Sequence, residues 1–174
     1  MATFTERAMD AVYGFLTDGS DGLNAETLPA MRTALSLSTA QLPNVAIFEK
    51  WYHRSSTATE FPYMSIVIDS TTGETEGTNS RMYQVSFSLA LVVLDANISG
   101  DETDVVHALW RYGDAIKTLA QRRVPMARQG WTLNASPGII RSAVTDQTPG
   151  ADPTITAPNV VLLTGLSVVT AEAF

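Results

Sequence analysis

Few residues in this chain can do acid–base or nucleophilic chemistry. There are two histidines, His53 and His107, and no cysteine, which excludes disulfides, thiolate nucleophiles and cysteine-based zinc sites. His53 stands in Trp51-Tyr52-His53-Arg54 just after an apolar run, a setting that favours packing or an interface over general-base work. His107 falls on the polar side of a helical pattern and reads as solvated surface. Neither a Gly-x-Ser-x-Gly elbow nor a glycine-rich phosphate loop is present. A Ser–His–Asp triad needs no adjacency in sequence, so that arrangement stays open, with nothing in the sequence pointing to one.

The acidic residues Asp69, Glu74 and Glu76 lie close together and invite a metal test. An EF-hand loop starting at Asp69 would need oxygen ligands at its third and fifth positions, glycine at the sixth and glutamate at the twelfth. Thr71, Gly73, Glu74 and Ser80 stand there instead, so the pattern fails and a solvated loop is expected. A paired-carboxylate glycosidase would require a pocket around two acids, and none can be placed. The expectation is a protein without cofactor or metal and without enzymatic activity, a small acidic hydrolase being the alternative from another class.

The charge distribution says more than any motif. The 174 residues carry a net charge of −7, and only 17% are charged, below the usual ~25%. Two lysines stand against nine arginines, while Ser and Thr supply 35 residues. A chain this acidic is poorly suited to gripping nucleic acid, which requires clustered Lys and Arg. Between Glu60 and Asp104 there are eight acids and one base, Arg81; between Arg111 and Arg128, five bases and one acid, Asp114. Dipole complementation accounts for Arg122 and Arg123 at a helix end. The functional counterpart is head-to-tail association, one subunit's basic region facing a neighbour's acidic one, which builds rings or filaments. Asp69, Glu74, Glu76, Arg81, Arg122, Arg123 and Arg128 are therefore the candidate interface or lumen residues. Depletion of lysine fits an interface too.

The elements that would position these residues follow from periodicity. Thr3–Glu6 has capping-box spacing, and Phe4, Ala8, Val12 and Phe15 recur on one helical face. A second helix over Pro29–Leu37 would place Leu28, Met31 and Leu35 together. Strands are expected over Val45–Trp51, Phe61–Ile68 and Arg81–Leu94. In the last of these Tyr83, Val85, Phe87, Leu89, Leu91 and Val93 point one way while Gln84, Ser86 and Ser88 point the other. At about 3.3 Å per residue that strand exceeds ~40 Å, so part of it is expected to project as a hairpin arm with Asp69–Ser80 as its tip. Ser99–Glu102 has capping-box spacing ahead of a long helix with Val105, Leu109, Tyr112, Ile116 and Leu119 on one stripe, closed by Pro125. Two strands, Ile139–Thr145 and Asn159–Val169, complete the chain, with Asp146–Pro158 between them read as irregular.

These elements define one α+β domain over residues 1–174: a mostly antiparallel mixed sheet with a long projecting hairpin, flanked by an N-terminal helix and one long central helix. Leu23–Leu42 and Asp146–Pro158 are its extended loop or insertion regions. Apolar windows such as Leu89–Leu94 and Val160–Val169 are shorter than the ~20 residues a membrane helix needs. The N-terminus lacks the pattern of a secretory signal, so synthesis in the cytoplasm is expected.

With this order of elements the chain resembles the tail terminator (tail completion) proteins of tailed bacteriophages, the lambda-like minor tail proteins. The likeness rests on the opening helix Thr3–Leu16, the strand Val45–Trp51 and the aromatic-Pro segment Phe61-Pro62-Tyr63-Met64-Ser65-Ile66-Val67-Ile68. The hairpin strand Tyr83–Leu94, the helix Asp101–Arg123 and two closing strands extend it over most of the chain. The longer Leu23–Leu42 region and the Asp146–Pro158 stretch depart from the pattern and suggest a larger or contractile tail. The resemblance implies a virion protein made in the host cytoplasm, forming a six-membered ring that ends polymerisation of the tail tube. Its partners would be further copies of itself, the tail tube protein and the head connector, with DNA passing through the lumen unbound. A head–tail connector or stopper protein of the neck is the nearest alternative.

Overall fold

A computed structural model describes residues 3–76, 80–122 and 139–173. The chain begins with helix α1 (Phe4–Thr17), capped by Thr3, whose hydroxyl accepts from the Glu6 N–H at 3.3 Å. Its buried face is Ala8, Met9, Val12, Phe15 and Leu16, as the spacing predicts. One π-helical turn (Leu23–Thr27) runs into helix α2 (Leu28–Leu35), with Pro29 in the first turn where its missing N–H is harmless. The region expected as an extended loop or insertion is thus largely helical. Leu35 does not join Leu28 inside; it is 51% exposed.

Strands β1 (Ile47–Lys50), β2 (Tyr63–Glu76), β3 (Ser80–Leu94), β4 (Ile139–Gly150) and β5 (Asn159–Ala173) form one sheet in the order β1-β2-β3-β5-β4. Only β1–β2 is parallel; the other three pairings are antiparallel. The long helix α3 (Glu102–Arg122) connects the β2–β3 hairpin to β4. This is the α+β mixed sheet with a terminal and a central helix that the periodicity predicts.

Three boundaries differ from expectation. First, β2 continues to Glu76 and β3 starts at Ser80, so the acidic segment is strand and not loop. Nor does this hairpin project alone: β5 pairs with β3 from Leu94 through Ser80, making the distal part a three-stranded ribbon. Second, β4 extends through Thr148, Pro149 and Gly150, opposite Leu163, Leu162 and Val161. Turn-like composition concealed this, but among the described residues β4 pairs only with β5, and an edge strand tolerates proline because one side needs no ladder bonds. Third, α3 is capped by Asp101, not Ser99. The Asp101 carboxylate accepts from the N–H groups of Thr103 and Asp104 at 2.8 and 3.1 Å, while Asp104 accepts from the Asp101 N–H at 3.1 Å. Gly100, at φ 143°, makes the preceding turn. Pro125 lies outside the described residues.

Strand alternation gives the sheet two unlike faces. The inner face presents Met64, Ile66, Val85, Phe87, Leu89, Leu91, Val93, Leu162, Leu166 and Val168 to α1 and α3. The α3 stripe Val105, Leu109, Tyr112, Ile116 and Leu119 is buried against it. Tyr112 donates to the Pro43 carbonyl at 2.6 Å, and burial raises its hydroxyl pKa well above the usual phenol value. The outer face carries a small cluster of Tyr63, Val92 and Val161. Beyond it, Ser70, Thr72, Gln84, Ser86 and Ser167 form a polar surface, where Gln84 donates to the Ser167 hydroxyl at 2.9 Å. Part of the chain's surplus of hydroxyl side chains lies here.

Candidate functional site

The charged residues singled out by sequence do not converge. Asp69 sits at a bulge in β2, between Ile68 and Ser70, and accepts from the Ser88 hydroxyl at 2.8 Å. Glu74 and Glu76 occupy β2 positions opposite Met82 and Ser80; Arg81 on β3 is opposite Thr75 and Glu172. These four share the distal ribbon. Arg122 is elsewhere, in the last turn of α3, paired with Glu26 of the π-helical turn at 2.9 Å. This partly exposed ion pair adds little stability. Arg123 and Arg128 lie outside the described residues. His107 is exposed on α3, as the helical pattern predicts.

A different cluster forms on the outer face. Past β1, Trp51 adopts φ 76°, a left-handed conformation rare outside glycine, while its N–H donates to the Ile66 carbonyl at 2.9 Å. The chain thereby leaves the sheet and carries Tyr52, His53 and a short 3₁₀ turn (Ser55–Thr57) forward. From the far edge comes Ala151–Pro158, the connection between β4 and β5. Asp152 and Asn159 tie this loop together. The Asn159 side chain accepts from the Asp152 N–H at 2.8 Å and donates to the Ala157 carbonyl at 2.9 Å. The Asp152 carboxylate accepts from the Thr154 N–H at 2.9 Å and its hydroxyl at 2.6 Å.

The two segments meet at His53. Its Nε2 lies 3.0 Å from Asp152 Oδ2 and 2.9 Å from Ser55 Oγ; its Nδ1 lies 2.8 Å from Ser65 Oγ on β2. Ser55 also donates to Asp152. Burial alone would raise the Asp152 carboxyl, but hydrogen bonds from Ser55, Thr154 and His53 outweigh it and hold the group well below the usual carboxylate range. An ionised Asp152 can only accept. His53 Nε2 therefore carries the proton facing it, while Nδ1 is hydrogen-bonded to the Ser65 hydroxyl. Asp152, Ser55 and Ser65 are 7%, 2% and 0% exposed, whereas the His53 side chain is 38% exposed.

Tyr63 supports the same corner. Its hydroxyl donates to Glu49 and accepts from the Arg54 N–H at 3.0 Å; burial, then the Glu49 contact, push its pKa up to about 12. Next to His53 a solvent-open cavity of about 450 Å³ spreads over the sheet, lined by Ser65, Val67, Ala90, Val161 and Leu163 with Asp152 at its rim. Chemically, the arrangement is a serine–imidazole–carboxylate relay on an apolar pocket. Sequence reading missed it: His53 and Asp152 are 99 residues apart, and Asp152 lay in a stretch read as irregular.

Among the described residues no three His, Asp or Glu side chains are grouped to hold a metal ion. No described helix is long and apolar enough to cross a membrane. No protein-family model matches the chain, and no curated protein matches its sequence.

Proposed function

We propose that this chain is a structural virion protein, a subunit of a ring, taken as a hexamer, that caps a phage tail tube, ends its polymerisation and forms the interface to the neck. The observation that carries this reading is a pair of unlike open sheet edges. Among the described residues, β1 covers β2 only over Tyr63–Ile66, leaving Val67–Glu76 unpaired on that side, and β4 pairs only with β5. Open edges are templates for pairing with another chain. Two different edges on opposite sides of one sheet suit a head-to-tail contact, which closes into a ring when the rotation permits. Asp69, Glu74 and Glu76 belong to the β2 edge run, and such acids would repel DNA sliding past. Arg81 lies on the same ribbon, while Arg122, already paired within the subunit, is the weaker interface candidate.

The test is to add the purified chain to growing tail tubes and follow tube length by electron microscopy, with native mass spectrometry for ring size. Arrested growth with one ring at a tube end is expected. Unchanged elongation with no bound ring overturns the reading, and binding to a head connector but not to tubes favours a connector or stopper protein. Replacing Asp69, Glu74 and Glu76 together by lysine should impair assembly or DNA passage; unchanged infectivity would remove them from that role.

A further inference from the structure

We propose that the groove between α2 and α3 is the docking face for a second copy of this chain, the two copies related by a two-fold axis. The groove, about 340 Å³, has Ala30, Met31, Ala34 and Leu35 on its α2 side and Arg111 and Asp114 on its α3 side. Leu35, the last residue of α2, stands half in solvent, and Val106 and Trp110 on α3 are exposed as well. Val106, Trp110 and Asp114 follow one another at four-residue spacing, so they form a single ridge along the border of the groove. An open groove beside an open ridge is the relief that helix–helix packing fills.

What selects a second copy over another partner is the charge pattern. The groove offers a cation, Arg111, and an anion, Asp114, three residues apart on one side of α3, and neither side chain has a hydrogen-bond or ion-pair partner among the described residues. Arg122, at the far end of the groove, is already held by Glu26. A matching partner must present an anion and a cation in the opposite order, and an antiparallel α3 does so. With the two-fold axis crossing α3 between these residues, Arg111 faces the partner's Asp114 and Asp114 faces the partner's Arg111, the reciprocity that an isologous contact demands. Moving the axis onto either residue would set like charges face to face, which is costly, so the charges also fix the register. Exposed ion pairs add little affinity; burial of Leu35 and Trp110 supplies it, tryptophan being a frequent anchor of such contacts. The ring reading uses the β2 and β4 edges and this contact uses the helix layer, so each can fail without the other.

The full chain is followed by sedimentation equilibrium over about 1–100 µM, a range suited to a modest interface, with native mass spectrometry to identify the species. A dimer is expected for the parent. Arg111→Asp and Asp114→Arg should each weaken it at least roughly 10-fold, because each reversal places two like-charge pairs in the contact. Mixed in equal amounts, the two variants should recover a dimer holding one of each, since opposite charges then meet at both positions. Leu35→Ser should weaken the parent dimer through lost apolar burial. A parent that stays monomeric, an assembly that withstands both reversals, or reversed variants that fail to pair when mixed overturns the proposal. Circular dichroism matching the parent shows that a variant has folded. Should a reversal not fold, Leu35→Ser decides alone: a weakened dimer supports the contact and an unchanged one overturns it.

Discussion

The two faces of the sheet use the same strands differently. On the inner face, side chains from β2, β3 and β5 interlock with α1 and α3 in one continuous apolar cluster. On the outer face, apolar packing is confined to Tyr63, Val92, Val161 and a few neighbours, and polar contacts do the rest. Hydrophobic burial is non-directional and scales with area, so the inner face supplies stability without requiring exact angles. The outer face relies on directional hydrogen bonds among His53, Ser55, Ser65, Thr154 and Asp152. Those contribute less net stability each but fix groups in definite orientations. Apolar packing and directional polar contacts are thus assigned to opposite sides of β2.

The largest effect should come from the inner face. Phe87→Ala, at a fully buried position, should cost about 3–5 kcal/mol in urea unfolding, whereas Ser86→Ala next to it, pointing the other way, should change stability by less than about 0.5 kcal/mol. Similar losses from both would mean that the two faces are not energetically distinct.

The outer-face network should come next. Asp152→Ala removes an acceptor for four donors and should cost about 2 kcal/mol, since buried partners lose their acceptor. Its pH signature is separate. The carboxyl ionises at lower pH in the folded chain than in the unfolded one, where its value is near ~3.9. Its contribution is therefore present above the unfolded value and lost as pH falls below it towards the lower folded value. Urea midpoints measured from pH 6 down to pH 2 should fall less steeply for Asp152→Asn than for the parent; parallel curves would exclude Asp152 as a source of acid sensitivity.

Smaller effects probe the polar exceptions on the inner face. Thr164 faces inward, 1% exposed, and its hydroxyl has no hydrogen-bond partner among the described residues. Thr164→Val should therefore raise stability by about 1 kcal/mol, read as a higher melting temperature. Tyr112→Phe deletes the bond to Pro43 and should lower stability by about 1 kcal/mol. If both changes were neutral, hydrogen bonding would be irrelevant to the inner layer.

The same division governs what could be read from sequence. Alternation in β3 and the α3 stripe report burial directly, because period and burial have one cause; the inner-face residues and the α+β class were legible for that reason. The Thr3 cap was legible because its signal spans four residues. Ser99 was a misleading case, where the same spacing two residues before the true Asp101–Asp104 pair imitated a cap. The outer site had no local signal. His53, Ser65 and Asp152 converge only through the pairing of Tyr63–Ile66 with β1, the left-handed turn at Trp51 and the extension of β4 past Pro149. Each of these is set by tertiary contacts that no window of sequence contains. The charged residues show the reverse: they were conspicuous, yet Asp69 on the hairpin is occupied by Ser88 and Arg122 at the end of α3 by Glu26.

The position of β3 has a consequence for how the chain is made. Its first partner, β2, precedes it across a short hairpin, so that pairing can form as soon as both strands leave the ribosome. Its second partner, β5, is the last of the five strands, and all of Ser80–Leu94 pairs with it. Until β5 emerges, the most apolar strand of the sheet has one whole edge unsatisfied while α3 and β4 are still being synthesised. Such an edge is a site for mispairing. Slow translation across residues 95–158 should therefore lower the soluble yield more than an equal delay placed before β2.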